Sequence, residues 1–335
     1  VRYYNNEALQ KALGTNWEKA KKHLYRGLLE HFFKNENQEL SYQTFQITEQ
    51  LCKNDQDHGL FQFLSHINKN GPIYWKDKEY PNLSSISESM NENPNEINQD
   101  VLELLKLRAI TWRLGLNKNL DKKQRKTMDI LNTIENYAAG DEQEIGYYLF
   151  LYTFAETDED RYVLIDNRRL HNLNEVLDYL IENRKNIWDA TEKIVRSPAF
   201  YGYLYYKGLN DFAKSLQSSL TKNVKTNFMG LLMLLEKTVK PKTKVTEFYL
   251  MCGPKAHLYW LKNNLKLYNF NGSEAIELKK NMEKVKFKRS MPLTETEKSF
   301  AELLNLKIQF DRLFLDNPFL MNAGIYDNKD IDGIT

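Results

Sequence analysis

At 335 residues, 41% hydrophobic and 13% aromatic, the chain has the apolar content of a protein with a sizeable core, which excludes disorder. Its 14 Gly and 8 Pro are too few for the turns of an all-β sandwich and favour helices with short connections. Lys plus Arg (47) nearly balance Asp plus Glu (45), a net charge of +2. That balance argues against a dedicated nucleic-acid binder, whose affinity comes from neutralising phosphates.

In chain order, NEALQKAL forms a first helix that Gly14 ends. Thr15 or Asn16 caps a second helix, in which Trp17, Ala20, Leu24, Leu28 and Phe32 share one face. Residues 39–52 and 56–67 add two amphipathic segments. Gly71-Pro72 breaks the helical pattern, and Ile73 to Tyr80 reads as a tight hairpin with aromatic flanks. Asn82 then caps a short helix running to Met90. Residues 91–99, with Pro94, form a loop, and the acidic stretch 155–161 is a connection. A second hairpin follows: Tyr162 to Ile165, an Asp166-Asn167 turn, and Arg168 to Leu170, with Asn172 capping the next helix. A helix over 223–239 ends at Lys240-Pro241. Beyond it the periodicity predicts a segment over 256–268, a helix over 274–287 capped by Ser273, and a final helix over 294–315.

The pattern repeats. Residues 80–114 recur at 170–204: Asn82-Leu83 falls on Asn172-Leu173, Ile86 on Val176, Met90 on Leu180, and Leu104-Leu105 on Ile194-Val195. Residues 17–33 align with 188–204, placing Trp17 on Trp188 and Lys22 on Lys193. Core-face chemistry recurs, not reactive groups. The expectation is a mainly α helical repeat array, with units of about 90 residues and short β-hairpins at unit starts. Its units span 1–70, 71–160 and 161–285, each a small β-element with about four helices, and a capping helix and tail occupy 286–335.

Reactive constellations are sparse. The chain has no P-loop, dinucleotide-binding glycine turn, G-x-S-x-G, H-E-x-x-H or paired C-x-x-C. His23 with His31, and His58 with His66, share helical faces but lack converging carboxylates or thiolates. Cys252 and His257 are the one pair with a nucleophile's spacing; without a third orienting group the cysteine reads as structural. Asn328, Asp330, Asp332 and Gly333 mimic part of a calcium loop but read as a polar turn. The basic clusters 118–126 and 279–289 read as solvated faces. No catalytic residue, cofactor or metal ligand is assigned. Two cysteines, Cys52 and Cys252, cannot build a disulfide framework and fit a reducing, cytoplasmic setting. No run reaches the ~18 apolar residues of a membrane helix, so no membrane partner is expected. The opening at Val1 and the end at Thr335 suggest a piece of a longer polypeptide.

Tyrosines crowd at 147, 148 and 152 and at 201, 203, 205 and 206, more than one core face can absorb. The hairpins combine rings with charge, a composition suited to protein interfaces. Tyr74, Trp75, Tyr80, Tyr162, Arg168 and Arg169 are therefore the candidate protein-binding residues. The competing reading is that their rings cement adjacent units.

The runs NWEKAKKHLYRGLLEHFF (16–33), LFQFLSHINKNGPIYWKDKEYPNLSSI (60–86) and YVLIDNRRLHNLNEVLDYL (162–180) resemble helical tails in bacteria. Such tails follow eukaryotic-like Ser/Thr kinase domains, or heat-shock and J-domain chaperone modules. The resemblance, over 1–270, implies a non-catalytic regulatory or client-binding region of a multidomain protein. It transfers no functional residue, since the kinase Gly-rich loop, catalytic loop and D-F-G are absent. The sequence thus points to a scaffold or regulatory region of a larger bacterial protein in signalling or stress, binding a protein partner or a neighbouring domain of its own polypeptide. The alternatives are a nucleic-acid-associated helical module of a defence or stress system, and an enzyme with an unrecognised site.

Overall fold

The computed structural model describes residues 5–183, 186–222 and 224–239. The expected elements at 256–268, 274–287 and 294–315, the basic cluster 279–289, the Cys252–His257 pair and the turn at 328–333 lie outside the described residues. Two compact bodies are present. One comprises the chain up to His171 with Arg196–Lys214; the other comprises Asn172–Val195 with the segment from Ser215.

Fifteen α-helices account for most of the described residues. The first five are α1 (Asn6–Gly14), α2 (Trp17–Tyr25), α3 (Leu28–Glu36), α4 (Gln38–Gln46), which runs into a π-helical turn at Ile47–Leu51, and α5 (Gln56–Ile67). The hairpin β1 (Ile73–Trp75) and β2 (Lys78–Tyr80) follows. Next come α6 (Leu83–Asn91), α7 (Gln99–Lys106), α8 (Ala109–Gly115), α9 (Lys122–Ala139) and α10 (Gln143–Phe154). A second hairpin, β3 (Val163–Ile165) and β4 (Arg168–Leu170), leads into α11 (Leu173–Glu182), α12 (Ile187–Val195), α13 (Pro198–Tyr206), α14 (Asn210–Ser219) and α15 (Val224–Thr238). Five helices, not about four, separate the two hairpins. No helix among the described residues is long and apolar enough to cross a membrane.

Local chemistry sets the helix starts. Asn5, Asn82 and Asn172 each adopt φ −155° ahead of α1, α6 and α11. Their side-chain oxygens accept from the N–H groups of Ala8 (2.8 Å), Ser85 (2.9 Å) and Glu175 (3.1 Å). Each such cap satisfies an orphan donor and contributes about 1 kcal/mol. At Asn82 the Ser85 hydroxyl also accepts from the Asn82 N–H, closing a capping box.

One expected helix is two. Residues 17–33 break at Gly27, whose φ of +72° is left-handed, a conformation glycine adopts without a Cβ penalty. Trp17, Ala20 and Leu24 stay buried on α2, but Leu28 and Phe32 leave that face and are 52% and 55% exposed. The same bend separates α7 from α8 without a glycine, at Arg108 with φ +53°. Trp17 and Trp188, aligned in sequence, differ in burial: Trp17 is fully enclosed, whereas Trp188 is 39% exposed and packs edge-on to Phe228.

Packing centres on three helices. α1 and α2 lie against α5, α6 and α7 against α10, and α11 and α12 against α15. Leu60, Phe63 and Leu64 of α5 are buried, as are Tyr147, Phe150 and Leu151 of α10 and Leu231, Leu234 and Leu235 of α15. Each of the three carries a glycine at a close approach. A Cβ on Gly59 would overlap the Tyr25 hydroxyl of α2, one on Gly146 would meet the Ile134 carbonyl of α9 at 2.8 Å, and one on Gly230 would meet Leu216 of α14 at 2.8 Å. α5 also receives α8, and α10 receives α13. With neighbours on several sides, α10 is apolar or aromatic around most of its girth beyond the first turn.

Gly146 faces backbone, which cannot rotate away. Gly146→Ala is therefore expected to cost about 1–3 kcal/mol or more, read as a lower denaturant midpoint. Gly115→Ala, where the nearest atom is Met128 Cε at 4.0 Å, should be neutral or slightly stabilising.

Candidate functional site

The hairpins come first because they carry the candidate residues. β1 and β2 pair antiparallel with Ile73 opposite Tyr80 and Trp75 opposite Lys78; β3 and β4 pair with Val163 opposite Leu170 and Ile165 opposite Arg168. Both turns have two residues with positive φ: Lys76 (48°) and Asp77 (67°), then Asp166 (49°) and Asn167 (62°). This type I′ geometry matches the right-handed strand twist, and Asp and Asn tolerate it better than most residues.

Trp75 is completely buried, 5.6 Å from the Trp17 ring and 6.0 Å from Phe61, both edge-to-face. Tyr74 lies over Gly14, where a Cβ would overlap it. Tyr80 and Tyr162 are buried too. The four rings are therefore core and not exposed anchors, because each hairpin is too short to fold alone and must lay its apolar face on helices. Arg169 is exposed and stacks over Tyr162 at 4.5 Å, while Arg168 is half-buried.

The first turn acts as a latch. Asp77 accepts from the Trp17 N–H at 2.7 Å and so caps α2, whose own Asn16 makes no side-chain cap bond. A carboxylate there also meets the positive end of the helix dipole. Lys76 pairs with Asp100 (2.9 Å) and Glu103 of α7. The sequence analysis assigned neither residue a role; their one local signal was a polar pair at the tip of the expected hairpin. In the second hairpin region, Tyr152 donates to the Tyr162 carbonyl (2.7 Å), and Arg161 donates to the Tyr152 carbonyl (2.9 Å).

Buried ionisable groups are the other place to seek chemistry. Glu135 of α9 is fully buried and accepts from the N–H groups of Ile110 (3.0 Å) and Thr111 (3.3 Å) at the head of α8. Burial outweighs those donors and pushes its carboxyl up to about 7. Arg113 donates to the carbonyls of Pro72 (2.8 Å) and Gly71, and burial pushes it down to about 10. Both groups bond to backbone, so they act as joints between segments. Cys52 is buried, with its thiol pushed up to about 11, mainly by burial, which suppresses the reactive thiolate. Burial also lowers His58 and His66; His58 lies 3.1 Å from the Gln62 amide, and His66 packs on Trp112. No three His, Cys, Asp or Glu among the described residues are placed to hold a metal ion. A cleft beside the second hairpin is lined by Tyr147, Tyr148, Tyr162, Glu96, Asp166 and Ser197.

Comparison with protein-family models, with curated proteins and with solved structures finds no match to this chain.

Two outcomes follow from this geometry. Trp75→Ala is expected to cost about 3–5 kcal/mol of folding stability, whereas Arg169→Ala, which loses one exposed cation–π contact, should cost about 1 kcal/mol or less; thermal melts of both variants check this. Glu135 holds a proton in the folded chain that the unfolded chain releases near 4.5. Its raised value therefore stabilises the fold fully below 4.5, and that contribution is lost as pH rises through about 7. The thermal midpoint should fall between about pH 5 and about pH 8, and Glu135→Gln should flatten that slope.

Proposed function

We propose that this chain is a non-catalytic, protein-binding scaffold assembled from three tandem five-helix modules, α1–α5, α6–α10 and α11–α15. The observation that carries the reading is the recurrence of one plan. Each set opens on an Asn cap with φ −155° (Asn5, Asn82, Asn172), and in the second and third sets the last helix carries a glycine that faces the fourth (Gly146, Gly230). The first and second helices pack on the fifth in every set. The type I′ hairpins stand between sets, and the first is latched to α2 and α7 on either side of it. A module this small buries little by itself, so its stability comes largely from its neighbours. Such an architecture supplies surface for partners.

The exposed large apolar residues favour a protein partner. Leu28, Phe32, Tyr42, Phe45 and Leu51 all lie between α3 and the turn after α4, against two elsewhere in the described chain, Ile130 and Trp188. Concentrated exposure of this kind marks interaction sites. The resemblance of 1–270 to regulatory tails supports a place in a larger bacterial signalling or stress protein. A second reading, nucleic-acid association, is favoured by one observation: Lys118, Lys122, Lys123, Arg125 and Lys126 are all exposed around the start of α9.

Photo-crosslinking in cells of the source organism separates the two. A photoreactive residue at Tyr42 is expected to yield a discrete protein adduct, and one at Lys122 none. Nucleic-acid adducts at Lys122, with none at Tyr42, would overturn the scaffold reading. In solution, no saturable binding of random oligonucleotides is expected at low salt; binding that weakens steeply with salt favours the second reading.

A further inference from the structure

Four helices, α9, α10, α13 and α14, wall a cleft of about 470 Å³ whose described lining residues all belong to the first body. Its aliphatic lining is Ile130 and Ile134, one turn apart on α9, with Leu149 of α10. Ile134 is fully buried and Leu149 nearly so, whereas Ile130 is 36% exposed. Tyr137, Tyr205 and Tyr206 add three rings. The Tyr137 and Tyr205 rings lie 5.1 Å apart, and the Tyr205 hydroxyl is hydrogen-bonded to Tyr137, a bond that favours the protonated Tyr205. Tyr205 is therefore the donor, and the Tyr137 hydroxyl that accepts keeps its own proton to give. Lys214, exposed on α14, lines the same cleft.

Charge selects the sign of a ligand here. Lys207 stands over the Tyr206 ring at 4.9 Å and Arg161 at 5.5 Å, so a further cation at that ring would meet like charge. Glu142, acting on Tyr205, and Asp158, paired with Arg161, offset part of this positive charge; Lys214 adds to it. One ammonium and one phenol proton match a singly charged head with two oxygens, as in a carboxylate, better than a phosphate dianion.

Size selects the class. A helix about 10 Å across fills roughly 400 Å³ in each turn of about 5.4 Å. The cleft thus holds little more than one turn, which excludes a helix, from another protein or from this chain, as its occupant. At about 30 Å³ for each water-sized group, it takes on the order of fifteen non-hydrogen atoms.

We propose that this cleft binds a small apolar carboxylate, of the size of a medium-chain fatty acid. Its tail lies against Ile130, Ile134 and Leu149, and its head takes a charge pair from Lys214 and a hydrogen bond from the Tyr137 hydroxyl. A site between packed helices, apolar with a few polar groups, is the usual form of a small-molecule pocket. The inference needs the cleft alone and stands or falls apart from the scaffold reading, whose crosslink is at Tyr42.

The test titrates sodium decanoate into the full chain by isothermal titration calorimetry. One saturable site is expected, with octanoate weaker by up to about fourfold for each CH₂ removed and acetate without measurable binding. Lys214→Glu should weaken decanoate at least about tenfold, the worth of one hydrogen bond to a charged group. Ile130→Asp should weaken it several-fold through the lost apolar contact. Both side chains are exposed, so both variants should melt near the parent's midpoint. Lys19→Glu, on α2, should leave binding intact. Decyltrimethylammonium, which carries the same tail on a cation, should bind at least about tenfold more weakly than decanoate. Equal binding of the two, or indifference to Lys214→Glu, would reduce the cleft to a bare apolar surface and overturn the proposal. Absence of saturable heat also overturns it, including the case in which residues 240–335, outside the described residues, cover the cleft. A diazirine-bearing decanoate, photolysed on the unaltered full chain, reads the place without any variant. Adducts are expected in peptides from 122–139 and 198–219; adducts confined to other peptides would overturn the assignment.

Discussion

The close approach of α10 to its neighbours is the constraint on which most of the larger body depends. Beyond its first turn α10 is almost entirely apolar or aromatic, and α6, α7, α9 and α13 pack around it. Two glycines make the enclosure tight. Gly146 lets α10 approach the backbone of α9, and Gly202 lets α13 approach the backbone of α10. Dispersion attraction falls off steeply with separation, so contacts at this distance hold the helices far better than gapped ones. Tyr147, Phe150 and Tyr152 then fill the space around the axis with almost no exposure.

Close helix packing buries helix ends, and buried ends carry unsatisfied backbone groups. The chain answers with side chains from distant segments. Glu135 reaches from α9 to the first N–H groups of α8, Asp77 reaches from a hairpin turn to the start of α2, and Arg113 gathers carbonyls at the end of α5. Glu135 and Arg113 are buried ionisable groups whose partners are backbone atoms, and burial is the main cause of the shift in each.

The same fastening explains why the aromatic rings of the hairpins are buried while α3 keeps exposed apolar residues. A two-stranded ribbon of six strand residues is stable only when its apolar face is covered, so Trp75 and its neighbours turn inward. α3 is anchored through Phe33, which packs on Phe63 of α5 at 5.8 Å, and this leaves the adjacent Phe32 pointing away.

Much of this protein was legible in its sequence. The two hairpins, the caps at Asn82 and Asn172, the loop around Pro94 and most helices were visible because each depends on hydrogen bonds and dihedral preferences within a few residues. The apolar spacing shared by 80–114 and 170–204 was visible too, because helices that face a core keep such spacing. Other features depend on residues far apart in the chain. Gly27 reads as a neutral surface glycine until its left-handed bend turns Phe32 outward, and Arg108 makes the same bend with no local signal at all. Glu135 looks like one more surface acid of α9 until α8 lies above it. Sequence alone determined the helices, their caps and their apolar faces, since those are local properties. Tertiary structure decided which faces are covered, since burial is set by neighbours that no short window of sequence contains.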